Sequence, residues 1–289
     1  MKVGIDHYSY HRFFGEVYPQ QEKPDTQMTV EEYIDRAAKM GCDGITLESC
    51  FLPRFDKDYL ATLKGLMDER HFDRVYGWGH PDGLEGGGSP KAFDEMMASF
   101  DDAKAVGADV MKVTGASLMF RHEPHAPMLE KLTRQLSEAV KVAEKCNIKM
   151  AVENHIDFNP EEMLQLIQNV NSPFLGMNFD SGNFLRLLSD PVKGMQKLAK
   201  YVLSTHIKDL KPIKGVSVDE WYFFACTPVG DGLVDNQALA RLLKETNYKG
   251  FLAVEIDFLH PDYGTGEFKA IEKSVRELKK LGERHKRGE

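Results

Sequence analysis

Eight times along this chain a short β-rich run gives way to a helical pattern, and few folds accommodate such a repeat. The runs are VGIDHYS (3–9), GITLES (44–49), RVYGWGH (74–80), DVMKVTGA (109–116), KMAVENH (149–155), LGMNFDS (175–181), VLSTHIKD (202–209) and GFLAVEID (250–257). The segments between them carry helix start signals. Thr29 and Glu32 have capping-box spacing ahead of the apolar stripe Val30, Tyr33, Ile34 and Ala37. Ser89–Pro90 and Asn159–Pro160 each put a cap residue before a first-turn proline. Apolar residues at 129, 132, 136, 139, 140 and 143 keep a helical period. Gly41, Gly107 and Gly250 precede strands, where an αβ loop needs left-handed backbone.

The repeat predicts an α/β fold, a (β/α)8 TIM barrel filling residues 1–289 as one domain, with a basic, solvated tail from about 282. A doubly wound open sheet would carry a Gly-rich phosphate turn after its first strand. Here that strand runs into HYSYHRFFGE instead. Glycines 86–88 lack a following Lys-Ser/Thr and read as a flexible loop.

The apolar share of 42% and charged share of 28% are those of an ordinary globular protein. A net charge of −8 opposes nucleic acid and anionic membranes as partners. No apolar run approaches the roughly 20 residues of a membrane helix, and MKVGIDHYSY lacks the apolar stretch of a secretory signal. Cys42, Cys50, Cys146 and Cys226 form no CxxC pair, which reads as reduced core thiols in a cytoplasmic protein.

Barrel chemistry sits at the C-terminal strand ends. The last four runs end, after apolar stretches, in Glu153, Asp180, His206 and Glu255. Neighbouring strands would bring these to one mouth, where crowded carboxylates repel and raise one another's pKa. A divalent ion removes that conflict. An oxygen-rich set with one imidazole suits Mn2+, with Mg2+ and Co2+ as alternatives.

The segments AVENH, NFDSGN, THIKD, PVGDGLVD and AVEID resemble the xylose-isomerase-like barrel superfamily, over nearly the whole chain. That superfamily includes sugar isomerases, ketose 3-epimerases, inosose dehydratases and zinc apurinic endonucleases. The resemblance implies that Glu153, Asp180, His206 and Glu255 are metal ligands. It also implies that Glu153 and Glu255 move protons on opposite faces of a small sugar substrate. The loop TPVGDGLVD (227–235) matches the family's turn after strand seven. The expected activity is that of a sugar isomerase or epimerase working through a metal-stabilised enediolate. There are departures. Asn183 stands where ketose 3-epimerases have a His, and Pro212 where they have an Arg. The same missing His argues against the endonucleases.

The stretch YSYHRFFGE resembles the catalytic subunit of C-glycoside deglycosidases. That likeness implies the alternative activity, a lyase eliminating the aglycone from a 3-keto-glycoside. It also implies a small β-rich partner subunit, and a homo-oligomer stays open. His7, Tyr8, His11 and Arg12 are then candidates for substrate contact, the alternative being a βα loop packed by aromatics. His155 shares a strand face with Glu153 and reads either as a base or as a loop hydrogen bond. Lys208, Asn183, Trp78, His80 and Glu48 are further pocket candidates. The WYFF run at 221–224 reads as a lid or a subunit contact.

Overall fold

The computed structural model describes residues 1–287, with side chains as far as residue 281. Eight parallel strands close a barrel. In order around it they are β1 (Lys2–Ile5), β2 (Gly44–Glu48), β3 (Asp73–Gly77), β4 (Val110–Thr114), β5 (Lys149–Glu153), β6 (Leu175–Asp180), β7 (Val202–Ile207) and β10 (Phe251–Val254), which pairs back onto β1. Between β7 and β10 the chain adds an antiparallel pair, β8 (Asp209–Pro212) and β9 (Phe224–Thr227), absent from the sequence reading. Helices surround the barrel: α1 (Val30–Lys39), α2 (Lys57–Glu69), α3 (Pro90–Ala105), α4 (His125–Cys146), α5 (Pro160–Val170), α6 (Ser181–Arg186), α7 (Pro191–Leu198), α8 (Asn236–Glu245) and α9 (Glu267–Arg287). The expected basic tail falls in the last turns of α9, and Gly288 and Glu289 lie outside the described residues.

The helices begin where the sequence signals them. Thr29 and Glu32 exchange both capping-box bonds at the start of α1, and Asn159 and Glu162 do so at α5. Losing one such cap costs about 1 kcal/mol. The α1 stripe of Val30, Tyr33, Ile34 and Ala37 is fully buried against the barrel.

Strand alternation sorts side chains into two environments. Tyr76, Met111, Val113, Met150, Val152, Met177, Phe179, Ile207, Leu252 and Val254 join the large core between barrel and helices. Residues of the opposite parity face the lumen. At its lower end Val75, Phe251 and Ala253 form a separate apolar cluster with Val110 packed against it. Continuing up the same faces leads to Gly77, Lys112 and Glu255, and on β2, β5, β6 and β7 to Glu48, Glu153, Asp180 and His206. A small apolar floor therefore supports a charged layer.

Several expectations need correction. The first strand ends at Ile5, because Asp6 Oδ1 accepts the Tyr8 N–H at 2.8 Å and starts a 3-10 helix over His7–Phe14. Gly41 and Gly107 do adopt left-handed backbone, but in the loop before β10 that role falls to Asn247, with φ 60°. Glycines 86–88 form a packed turn instead of a flexible loop: Gly86 N–H donates to the Gly115 carbonyl beside Met128. All four cysteines are free, but only Cys42 and Cys226 are buried.

Candidate active site

Each strand end carries its side chain into the mouth from a hydrogen-bonded position. Glu153 pairs in register with Asn178, and Asp180 with His206. Asn154, which looks out of place after an apolar strand, stitches β5 to β6. Its amide donates to the Asp180 carbonyl and its Oδ1 accepts the Asp180 N–H, both at 2.9 Å. The result is convergence. Nδ1 of His206 lies 2.6 Å from Glu255 Oε2, 3.2 Å from Glu153 Oε1 and 3.6 Å from Asp180 Oδ2. One ligand-type atom from each of the four lies within 4.8 Å of the others, and all four residues are buried.

Charge accumulates around this set. Lys112 reaches Glu48 at 2.8 Å and Glu153 at 3.4 Å. Lys208 reaches Asp257 at 2.8 Å, Asp180 at 2.9 Å and Glu255 at 3.3 Å. Arg186 holds Asp257 with two hydrogen bonds, at 2.5 and 2.8 Å. Six buried carboxylates, Asp6, Glu48, Glu153, Asp180, Glu255 and Asp257, thus face three fixed cations, Lys112, Lys208 and Arg186. With His206 neutral, that is an excess of three negative charges. Glu153 Oε2, Asp180 Oδ2 and Glu255 Oε2 touch lysine or histidine nitrogens, yet none has a hydrogen bond of good geometry. Buried carboxylate oxygens so placed fit a divalent cation, and the donor set fits one as well.

The environments differ between carboxyls. Burial pushes Glu255 up against the opposing pull of His206 and Lys208. Burial also acts to raise Glu153, but Lys112 and His206 hold it well below the usual carboxylate range. Burial lifts Glu48 to about 7 despite Lys112. The room for Glu48 comes from Gly77 on the adjacent strand, where a Cβ would lie 2.3–2.5 Å from the carboxylate.

Above the layer opens a cavity of about 410 Å³, with Glu48, Glu153 and Glu255 in its lining. Of the sequence candidates Tyr8, Trp78, His80, His155, Asn183 and Lys208 also line it. Trp78 stacks on His80, with ring centroids 5.2 Å apart. The metal-ligand candidates Asp180 and His206 lie beneath it, and three substrate-contact candidates do not line it. His7 is fully buried, stacked on Tyr33 at 4.2 Å, and burial lowers its pKa to about 3. His11 lies behind Tyr8 and is bonded to the Glu16 and Asp257 carbonyls. Arg12 pairs with Glu267 at 2.8 Å and fastens the 3-10 helix to α9. With three residues per turn, i and i+3 eclipse, so His11 falls directly behind Tyr8 instead of beside it.

His155 sits just past the strand. Ile156, which lines the cavity, takes φ 59°, a strained backbone conformation for a β-branched residue. Asp157 braces the turn by accepting the N–H groups of His155 and Phe158 at 2.8 and 2.7 Å. Burial keeps the His155 ring below its usual pKa, and its Nδ1 has no hydrogen-bond partner.

The sequence reading missed Asp6, Lys112, Asp257, Arg186 and Tyr18, and it named Trp221 only within the WYFF run, as a lid or subunit contact. Lys112 carried a signal, as a lone charge inside the apolar run VMKVT. Asp257 shared the two-residue spacing from Glu255 that singled out His155 from Glu153. Asp6 followed an apolar strand as the four chosen residues do. Arg186, Tyr18 and Trp221 arrive from loops and a helix end, and local sequence gives no sign that they meet. Trp221 of the WYFF run lines the cavity, edge-on to Tyr18 and 5.2 Å from the Arg186 guanidinium.

Comparisons agree with this architecture. A family profile described as "Xylose isomerase-like TIM barrel" matches residues 34–281. Inosose dehydratase from Clostridium perfringens (strain 13 / Type A) is 22% identical over 255 residues, covering 79% of this chain and 82% of that protein. Among solved structures, an IolI protein with a bound zinc atom superposes with a TM-score of 0.75 at 18% identity, covering 97% of this chain and 98% of the other. A D-tagatose 3-epimerase-like protein gives 0.72 at 18% identity, covering 98% and 97%. Among the described residues, no helix is long and apolar enough to cross a membrane.

Proposed function

Because this chain belongs to the xylose isomerase-like TIM barrel family, we propose that its barrel mouth is the active site of a divalent-metal-dependent enzyme. It moves a proton next to the carbonyl of a small keto-sugar, in the manner of sugar isomerases and epimerases. One observation carries this reading: four buried strand ends meet at the base of a cavity, with both glutamates in its lining.

Glu153, Asp180, His206 and Glu255 would hold the ion, with Mn2+ preferred over Mg2+ or Co2+ for a set of three carboxylates and one imidazole. A bound divalent cation supplies Lewis acidity, lowering the cost of charge on the sugar oxygens as the proton leaves. The chain's own residues do the rest. Glu255, which lines the cavity, is placed to take and return a proton. Glu153 is held ionised by Lys112 and serves as its opposite number. Lys208 and Asn183 line the wall beside Asp180 and orient substrate oxygens. The test is incubation with Mn2+ and candidate keto-sugars in D2O, followed by mass spectrometry. Deuterium in recovered sugar supports the reading. No exchange and no product across free ketoses and 3-keto-glucosides would remove it.

A second reading is elimination of an aglycone from a 3-keto-glycoside. Tyr8, Tyr18, Trp78 and Trp221 give the cavity an aromatic side suited to a flat group, and His155 offers a neutral base. Under this reading aglycone is released, and His155→Ala lowers that rate. An unchanged rate would make His155 structural.

A further inference from the structure

Asp6 lies at the end of β1, fully buried, and its two carboxylate oxygens face different partners. Oδ2 is 3.1 Å from His206 Nε2, on the far side of the imidazole from Glu153, Asp180 and Glu255. The contact is short but falls short of ideal alignment, and neither atom has a hydrogen bond elsewhere. Oδ1 accepts the Tyr8 N–H at 2.8 Å and caps the 3-10 helix that brings Tyr8 into the cavity.

A neutral imidazole keeps a lone pair on only one nitrogen. With a cation taking the Nδ1 lone pair, the ring proton has to sit on Nε2, where the buried Asp6 carboxylate lies 3.1 Å away and is placed to accept it. We propose that Asp6 is a positioning residue with two duties: it fixes His206 in the tautomer that can ligate a cation, and it anchors the turn that presents Tyr8. The proposal rests on the metal-centre reading above. It ties the cation site to one wall of the substrate pocket through a single side chain. Carboxylates in this position behind a ligating histidine typically change metal affinity 10- to 100-fold when removed.

The experiment compares metal-free wild type with Asp6→Asn and Asp6→Ala by Mn2+ titration calorimetry and thermal melting. Asn keeps an oxygen for the Tyr8 cap but can offer an amide donor, not an acceptor, to Nε2–H. Asp6→Asn is expected to bind Mn2+ 10- to 100-fold more weakly, with a metal-free melting temperature close to wild type. Asp6→Ala should lose the same affinity and melt lower, because the cap is gone as well. Affinity of Asp6→Asn within twofold of wild type overturns the first duty. Equal melting of the Ala and Asn variants overturns the second. Should the variants not fold, 15N spectra of Zn2+-loaded wild type still decide the first duty. A proton on His206 Nε2 is expected, and one on Nδ1 overturns it. If wild type binds neither ion, the metal-centre reading itself falls and takes this inference with it.

Discussion

The backbone N–H of His155 donates to Oδ1 of Asp157 at 2.8 Å, across an Ile156 held at φ 59°. A branched side chain in left-handed backbone stores about 1–3 kcal/mol of strain. The brace from Asp157 and the burial of Ile156 hold it in place. The strain aims His155 into the cavity instead of letting the chain relax outward.

Ile156→Gly tests this. Truncating a buried Ile to Ala costs about 2–5 kcal/mol at an ordinary core site. Here relief of strain offsets part of the loss, so the expected cost by urea denaturation is under about 2 kcal/mol. Turnover should fall as His155 loses its fixed position. A stability loss of 4 kcal/mol or more would show that the turn holds no strain.

Gly77→Ala probes the next layer. The new methyl would overlap the Glu48 carboxylate, which is anchored by Lys112. Overpacking of this kind costs about 1–3 kcal/mol. The variant should melt lower and bind substrate more weakly. Wild-type melting would mean that Glu48 swings aside freely.

Adding Mn2+ to metal-stripped protein should raise its melting temperature. At a hundredfold excess over Kd the gain is about 2.7 kcal/mol. Asp180→Asn should reduce that gain while keeping the α6 cap that Asp180 Oδ1 gives to the Asn183 N–H. The same Mn2+ response in both proteins would take Asp180 out of the cation site.

Glu255→Gln should slow turnover about 10²–10⁴-fold, the usual worth of a positioned acid or base. The metal-free variant should be no less stable than wild type, because one buried like charge is gone. Activity within tenfold of wild type would leave Glu255 without a role in proton transfer.

Away from the site, His125 Nδ1 meets Glu162 Oε1 at 2.8 Å. Burial lowers the His125 pKa somewhat, but the Glu162 hydrogen bond outweighs it and the net shift is upward. A raised histidine stabilises fully below its unfolded value, near 6.5, and loses that contribution as pH climbs through the folded value. His125→Gln should therefore cost a few tenths to about 1 kcal/mol at pH 6 and almost nothing at pH 9, read by urea melts. A larger cost at pH 9 would contradict the pairing.

The barrel and the four converging strand ends were legible because both depend on a period of two. An apolar strand that ends in a polar residue of lumen parity shows where that side chain goes. Lys112 and Asp6 obey the same parity and could have been read. The N-terminal segment misled because Asp6 turns the strand into a 3-10 helix, and a period of three hides His11 behind Tyr8 and sends His7 into the core. Arg186, Tyr18 and Trp221 meet only through tertiary folding.

Phe251 plugs the lower end of the lumen, with Gly4 and Gly44 so close to its ring that neither could carry a side chain. Among the described residues, the lower end is therefore closed and the mouth is the way in and out. Whatever forms at its base must leave past Tyr8, Trp78 and Trp221 before the next molecule can come in. Product should accordingly compete with substrate for the free protein, and the rim aromatics should govern how fast each cycle clears.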